Sequence, residues 1–279
     1  MKHLQYSYIL LSALLLSGCK FNNKNSTTEY QPETADTITY TEYYLDTTDA
    51  ACKTKYKFCP SAKISYPIIC TPDTLINNYL QKEIMQSLLL KPEASYYSSI
   101  GDMINSYFQE SNTIKQEGDY DNESSAWAWE KDIKIIHKKG RYLTMGYHEY
   151  SYMGGAHPNY ITYYKTYDFI QHKIIRAEDV FIDLKTPALL SIGEKYFRVQ
   201  NELKPNEKFT ESGFFIFGDG QDFENTKEYG KFRFNANFAF TKDGIEFLYN
   251  SYEIGPYAIG VNSVTIPYSE LRPYLKITL

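Results

Sequence analysis

Residues Tyr147–Asp168 read YHEYSYMGGAHPNYITYYKTYD. Two tyrosine-rich runs, Tyr147–Tyr152 and Tyr160–Tyr167, alternate in the period-2 manner of strands. Between them lies Gly154-Gly155-Ala156-His157-Pro158. The paired glycines permit positive φ and a close approach of other backbone. Pro158 fixes its own φ and holds His157 extended. A simple reversal needs only two loop residues. This loop is longer and predicts a built surface feature at the end of a β-hairpin.

Working outward, the same alternation recurs. Trp127–His137 and Arg141–Tyr152 pair over Lys138-Lys139-Gly140, with Met145, Tyr147 and Glu149 on one face and Gly146, His148 and Tyr150 on the other. Phe232, Phe234, Ala236, Phe238 and Phe240 alternate up to Asp243-Gly244, and Ile245, Phe247 and Tyr249 answer them. Further strands are expected at Ile38–Leu45, Lys53–Phe58, Lys63–Ile69 and Val261–Ile266. Thr71-Pro72-Asp73 and Thr186-Pro187 have the composition of helix starts. The expected apolar stripes are Leu75, Ile76, Tyr79, Leu80, Ile84 and Leu88 after the first, and Leu189, Ile192, Tyr196 and Val199 after the second. A helix between them carries Ile100, Met103, Ile104, Tyr107 and Phe108, and Phe209–Asn225 is expected to be irregular around a short helix. Antiparallel sheets built from hairpins with a few packed helices make an α+β protein. We expect an N-terminal domain over 38–145 and a C-terminal one over 146–279, with strands of both able to share a sheet.

The blocks GGAHPN, YKTYDF, EDVF (Glu178–Phe181), FTKDGIEFLYN, YEIGPYA (Tyr252–Ala258) and IPYSEL, in this order, resemble the RsiV/PdaC-like family of envelope proteins. The resemblance spans roughly Ser61 to Lys276 and implies a variable N-terminal domain followed by a better-marked C-terminal one, with no established reaction for either. Where the family's turn often has Thr-Gly-Lys, this chain has Gln171-His172-Lys173.

Lys2, an apolar run from Ile9 to Leu16, and Leu16-Ser17-Gly18-Cys19 resemble a lipoprotein signal peptide over 1–18, with Cys19 as the acylated residue. The apolar run is too short to span a bilayer. A polar tether over 19–37 would then lead to the folded part. Lys20, in place of aspartate after the cysteine, points to an outer membrane and a periplasmic face. Removing 1–18 from the 279 residues leaves 261, with 28 basic against 34 acidic side chains, an acidic balance that argues against nucleic acid. Cys52, Cys59 and Cys70 remain; the expected bridge is Cys52–Cys59, which requires the chain to fold back, with Cys70 unpaired.

No zinc-protease helix, nucleophile elbow, phosphate loop or cofactor motif occurs. No metal ligands and no catalytic residues are assigned. His148 and Glu149 are strand neighbours on opposite faces and do not share an ion. The chain has 28 tyrosines, crowded around the GGAHPN and YEIGPYA blocks, and tyrosine suits binding surfaces. The candidate binding residues are Tyr152, Gly154, Gly155, His157, Asn159, Tyr252, Glu253 and Tyr257. Glu253 either pins its loop or faces ligand. The expected function is a non-enzymatic, lipid-anchored module that binds an envelope protein or a glycan. The alternative is a hydrolase or esterase of cell-wall glycan using His157 and Glu253.

Overall fold

A computed structural model describes residues 35–90, 96–118, 126–214 and 230–279. The expected signal peptide, Cys19 and most of the tether lie outside these residues. The strands are β1 (Thr39–Thr48), β2 (Ser61–Cys70), β3 (Ala128–Lys139), β4 (Tyr142–Tyr152), β5 (Asn159–Asp168), β6 (Lys173–Ile175), β7 (Phe238–Phe240), β8 (Gly244–Tyr249) and β9 (Asn262–Pro267). The helices are α1 (Thr74–Ile84), α2 (Ile100–Gly118), α3 (Ala177–Val180), α4 (Pro187–Gln200) and α5 (Tyr268–Leu271).

β1 to β6 form one sheet in sequence order, and β7 to β9 form a second. Every pairing is antiparallel except β2 with β3, where Ser61–Ser65 runs parallel to Ala128–Asp132. A parallel step needs a long crossover, and α1 and α2 lie in it. Each sheet has its own apolar core. The first packs Ile64, Trp129, Ile133, Met145 and Tyr147 against Ile76, Leu80 and Ile84 of α1 and Met103 and Tyr107 of α2. The second gathers Phe238, Phe240, Phe247 and Val264 with Leu189 and Phe197 of α4. The expected boundary at 145/146 falls within β4, and the first core reaches Phe169.

Several expectations are corrected. Lys53–Phe58 is not a strand: Cys52–Thr54 is a 3₁₀ turn, and the Cys52–Cys59 disulfide closes the loop with a Cα separation of 5.7 Å. Asp49 accepts hydrogen bonds from the N–H groups of Ala51 and Cys52, and the Lys115 ammonium donates to the Phe58 carbonyl, so the alternating lysines there decorate a folded-back loop. Cys70 is disulfide-bonded rather than free.

Within the expected Thr71-Pro72-Asp73 start the cap of α1 is Asp73; its carboxylate accepts from the Leu75 N–H, while Thr71 Oγ1 accepts from the Asp73 N–H. Leu75 is exposed. On α4 the buried line is Leu189, Gly193 and Phe197, and Val199 is 69% exposed. Gly193 explains the rotation: a Cβ there would come within 2.3 Å of the rings of Phe232 and Phe234. Those two rings pack on α4, and the regular strand begins only at Phe238. Phe209–Ser212 forms a 3₁₀ turn, and the stretch from 215 to 229 lies outside the described residues. Ala35–Thr37, expected in the tether, is a docked 3₁₀ turn: the Ala35 N–H donates to the Gly140 carbonyl at 2.6 Å and Asp36 accepts from the Gly140 N–H at 2.8 Å.

Candidate functional site

The Met153–Pro158 loop ends the β4–β5 hairpin, and its geometry uses both glycines. Gly154 and Gly155 have φ of 84° and 101°, values open to glycine and strained for other residues. Tyr152 donates a hydrogen bond to the Gly155 carbonyl at 3.3 Å. The loop thereby delivers His157 to the segment that follows β8. The His157 ring stacks on Tyr257 with centroids 3.8 Å apart and planes 17° apart. Tyr257 donates to the Pro158 carbonyl at 2.9 Å, and the same carbonyl lies 3.0 Å from His157 Nδ1. His157 Nε2 lies 3.5 Å from the Tyr252 hydroxyl. Tyr160 and Tyr252 each flank Tyr257 with centroids 5.8 Å away. Burial, then the neighbouring Tyr160 and Tyr252 hydroxyls, raise the Tyr257 phenol above its ordinary value, and Tyr150 contributes to the same effect. Tyr252 itself is strained, with φ of 71°, and 57% exposed.

A row of asparagines holds this arrangement. The Asn250 amide accepts from the Thr162 N–H at 2.7 Å and donates to the Thr162 carbonyl at 2.9 Å. Asn237 accepts from the Tyr164 N–H at 2.8 Å and donates to that same Thr162 carbonyl. These side chains satisfy backbone groups of β5 that no strand pairs among the described residues, and so clamp the second sheet to the first. Glu253 accepts from Asn235 at 3.1 Å and from Asn250 at 3.3 Å. Its carboxylate pins the loop, one of the two roles open to it from sequence.

Tyr152, Gly154, Gly155, His157, Tyr252 and Tyr257 therefore meet. Asn159 starts β5, exposed, opposite Ser151. Asn235, Asn237 and Asn250 were missed by the sequence reading. Their signal is present in FNANF and FLYN: asparagine is a poor strand former, yet it sits beside or within apolar strand runs. His148 is half-buried, its Nδ1 3.0 Å from Thr162 Oγ1, and burial lowers its pKa. Among the described residues no group of three or more His, Cys, Asp or Glu side chains is placed to hold a metal ion, and no helix is long and apolar enough to cross a membrane. The site offers rings, hydroxyls and amides to a ligand. His157 and Glu253 are directed to different partners.

Two family models match the chain. "Deacetylase PdaC" covers residues 53–160, and "Protein of unknown function (DUF3298)" covers 178–269. The peptidoglycan-N-acetylmuramic acid deacetylase PdaC of Bacillus subtilis is 25% identical over 150 residues, which are 52% of this chain and 28% of that protein. The chain thus spans less than a third of that relative's length. A DUF3298 family protein from Bacteroides fragilis superposes with a TM-score of 0.64 at 19% identity, covering 88% of this chain and 96% of the other. One from Pseudomonas aeruginosa superposes with a TM-score of 0.64 at 16% identity, covering 87% and 96%. The two solved structures share the fold of this chain, and a match to the PdaC model followed by a match to the DUF3298 model is consistent with a PdaC-like two-domain protein.

Proposed function

We propose that this chain is a cell-envelope binding module whose ligand is a glycan held by the aromatic cluster of Tyr152, His157, Tyr160, Tyr252 and Tyr257. The observation that carries the reading is the His157–Tyr257 stack with Tyr252 and Tyr160 beside it. Flat rings with polar edges take up the apolar faces of sugars and bond their hydroxyls. Strained backbone at Tyr252 holds an exposed ring in place, and such strain concentrates at ligand sites. A relative named for action on peptidoglycan supports a cell-wall glycan as the ligand class. Against hydrolysis stands the want of convergence: catalysis needs a nucleophile or water, a base and an oxyanion donor around one point, whereas His157 and Glu253 serve the scaffold.

The test is co-sedimentation of the protein with purified peptidoglycan, beside Tyr257→Ala and Tyr252→Ala. Wild type should sediment and both variants should stay in solution. Wild-type protein that stays in solution but captures an envelope protein would replace the glycan with a protein partner. Deacetylation or cleavage by wild type, abolished in a folded His157→Ala, would install the hydrolase reading.

For anchoring we propose acylation of Cys19, facing the periplasm from an outer membrane. Two of the four cysteines are joined as Cys52–Cys59, and Cys70 is also bonded. Acylation of Cys19 and a bond from Cys19 to Cys70 exclude each other. A non-reducing peptide map therefore decides: a lipid mass on Cys19 upholds the anchor, and a Cys19–Cys70 peptide removes it.

A further inference from the structure

The outer face of the six-stranded sheet continues the aromatic cluster away from the second domain. Register fixes which side chains lie in line. Tyr160 of β5 is opposite Tyr150 of β4, Tyr150 is opposite Glu130 of β3, and Glu130 is level with Lys63 of β2, which faces Asp46 of β1. All lie on the face turned away from Trp129, Tyr147 and Ile64, since successive side chains alternate. Contacts join the row: Lys63 is 3.3 Å from Glu130, and Tyr44 donates to Asp46 at 3.2 Å. At the far end the Tyr160 ring lies 5.8 Å from that of Tyr257. The face is open, with the Lys63 and Glu130 side chains 45% and 49% exposed and Tyr44 65% exposed.

We infer that this row is one extended binding track, from Tyr257 across Tyr160, Tyr150, Glu130 and Lys63 to Tyr44, for a linear strand of N-acetylated amino sugars. The inference rests on the glycan-binding reading above and adds its direction and length. From β5 to β1 the track crosses four strand spacings, roughly 19 Å at ~4.8 Å each. A pyranose unit is about as long as one spacing, so about four sugars lie along it. Charge selects the ligand. In the row Lys63 pairs with Glu130 while Asp46 adds a second carboxylate, and further along β3 Lys134 lies 3.1 Å from Asp132. With one ammonium against two carboxylates the row is slightly acidic and rich in donors and acceptors, which suits a neutral polyhydroxylated chain over a polyanion. Tyrosines at both ends supply stacking surfaces, and the polar middle supplies hydrogen bonds.

The experiment is calorimetric titration of the whole chain with β-1,4-linked N-acetylglucosamine oligomers of two to six units. Affinity should rise with each unit up to about four and then level off. Tyr44→Ala should leave disaccharide affinity unchanged and lower affinity for the longer oligomers by about tenfold. Tyr44→Phe, which keeps the ring, should restore most of it. Because Tyr44 is exposed on an edge strand, thermal melts of both variants should match wild type. Glycan binding that stops growing at the disaccharide, or that ignores Tyr44→Ala, overturns the track and leaves the Tyr257 site standing. Failure of every oligomer to bind overturns both.

Discussion

Tyr147 and Glu149 point from β4 into the core, whereas Tyr150 and Tyr152 on the same strand point out. On the inner face the charged groups are tied to fixed partners, while the buried Ser151 hydroxyl has none among the described residues. Glu149 is buried and accepts hydrogen bonds from Ser87 Oγ, from the Leu88 N–H at 2.9 Å, from the Leu89 N–H at 3.3 Å and from Trp129 Nε1 at 2.9 Å. Its strand neighbour Lys131, also buried, donates to the Glu83 carbonyl at 2.8 Å and to the Gln86 carbonyl. Burial lowers the Lys131 pKa, and Glu149 and Glu83 pull it partly back. An anion thus holds the N–H end of the turn after α1 and a cation holds its carbonyl end. On the outer face Tyr142 and Thr144 are buried, but past His148 the half-buried rings of Tyr150 and Tyr152 are left for solvent or ligand. One strand carries an architecture that cannot lose a partner and a surface that can gain one.

The sharpest break of that contrast is Glu149→Ala. It strands four donors in the core beside the buried Lys131 ammonium. Removing one member of a buried, hydrogen-bonded charge set costs about 3–5 kcal/mol, a large part of a total stability of about 5–15 kcal/mol. Chemical denaturation should show that loss or no cooperative transition at all. Tyr150→Ala, one residue away, should cost less than about 1 kcal/mol. Equal losses from the two would erase the distinction between the faces.

A smaller break lies where α1 meets the β5–β6 turn. Asp73 accepts from Tyr167 at 2.8 Å, lies 2.8 Å from His172 Nδ1, and caps α1. Burial pushes its carboxyl pKa up, but the hydrogen bonds from His172, Tyr167 and the Leu75 N–H outweigh this and hold it below the usual carboxylate range. A depressed folded pKa gives stability that is complete above the unfolded value near 3.8 and is lost as pH falls through the folded one. Asp73→Ala should therefore cost about 1–2 kcal/mol at neutral pH, the usual cost of losing a cap. The gap from wild type should narrow only below the carboxylate range. A gap that is constant down to the lowest pH at which both remain folded would show that the charge contributes nothing.

These two clusters also mark what the sequence conveys and what it does not. Alternation of residue type placed β4, β5 and β8, although β4 and β8 are buried on both faces along much of their length, and the paired glycines announced a loop needing positive φ. Where a local pattern was overruled, the cause is tertiary. The Cys52–Cys59 bond bends a lysine-alternating run into a loop, and Gly193 turns α4 so that two phenylalanine rings can approach it. His172 adopts φ of 51° at the position where the resembling turn has glycine, with Asp73 waiting across the fold. The Asn237 and Asn250 clamp joins residues more than 70 apart in sequence. Spacing within one segment carries no trace of such a partner.

Within the site, His157→Ala removes the stack on Tyr257. Aromatic pairs contribute about 0.5–1.5 kcal/mol beyond their burial, so a stability loss of about 1 kcal/mol should accompany weaker glycan binding. Melting and sedimentation of the same preparation check both. Unchanged melting with lost binding would move His157 from scaffold to ligand contact.

The mildest change separates stability from binding most cleanly. Tyr252 is exposed and holds φ of 71°, a left-handed conformation costing roughly 1–2 kcal/mol for a residue with a Cβ. Tyr252→Gly relieves that strain. Glycine also widens the unfolded ensemble, which returns about 0.4–1 kcal/mol to the unfolded state. The balance should be a gain of about 0.5 kcal/mol, small but measurable as a raised melting temperature. The same variant loses the ring beside Tyr257 and the hydroxyl near His157, so glycan binding should fall. Tyr252→Ala keeps the backbone strain and loses the same ring, so it should bind equally poorly without the gain. A structural tyrosine would give the opposite sign: Tyr252→Gly would melt lower than wild type, and binding would survive in whatever fraction stayed folded. Higher melting together with weaker binding would show that strain at Tyr252 is retained for the ligand and not for the fold.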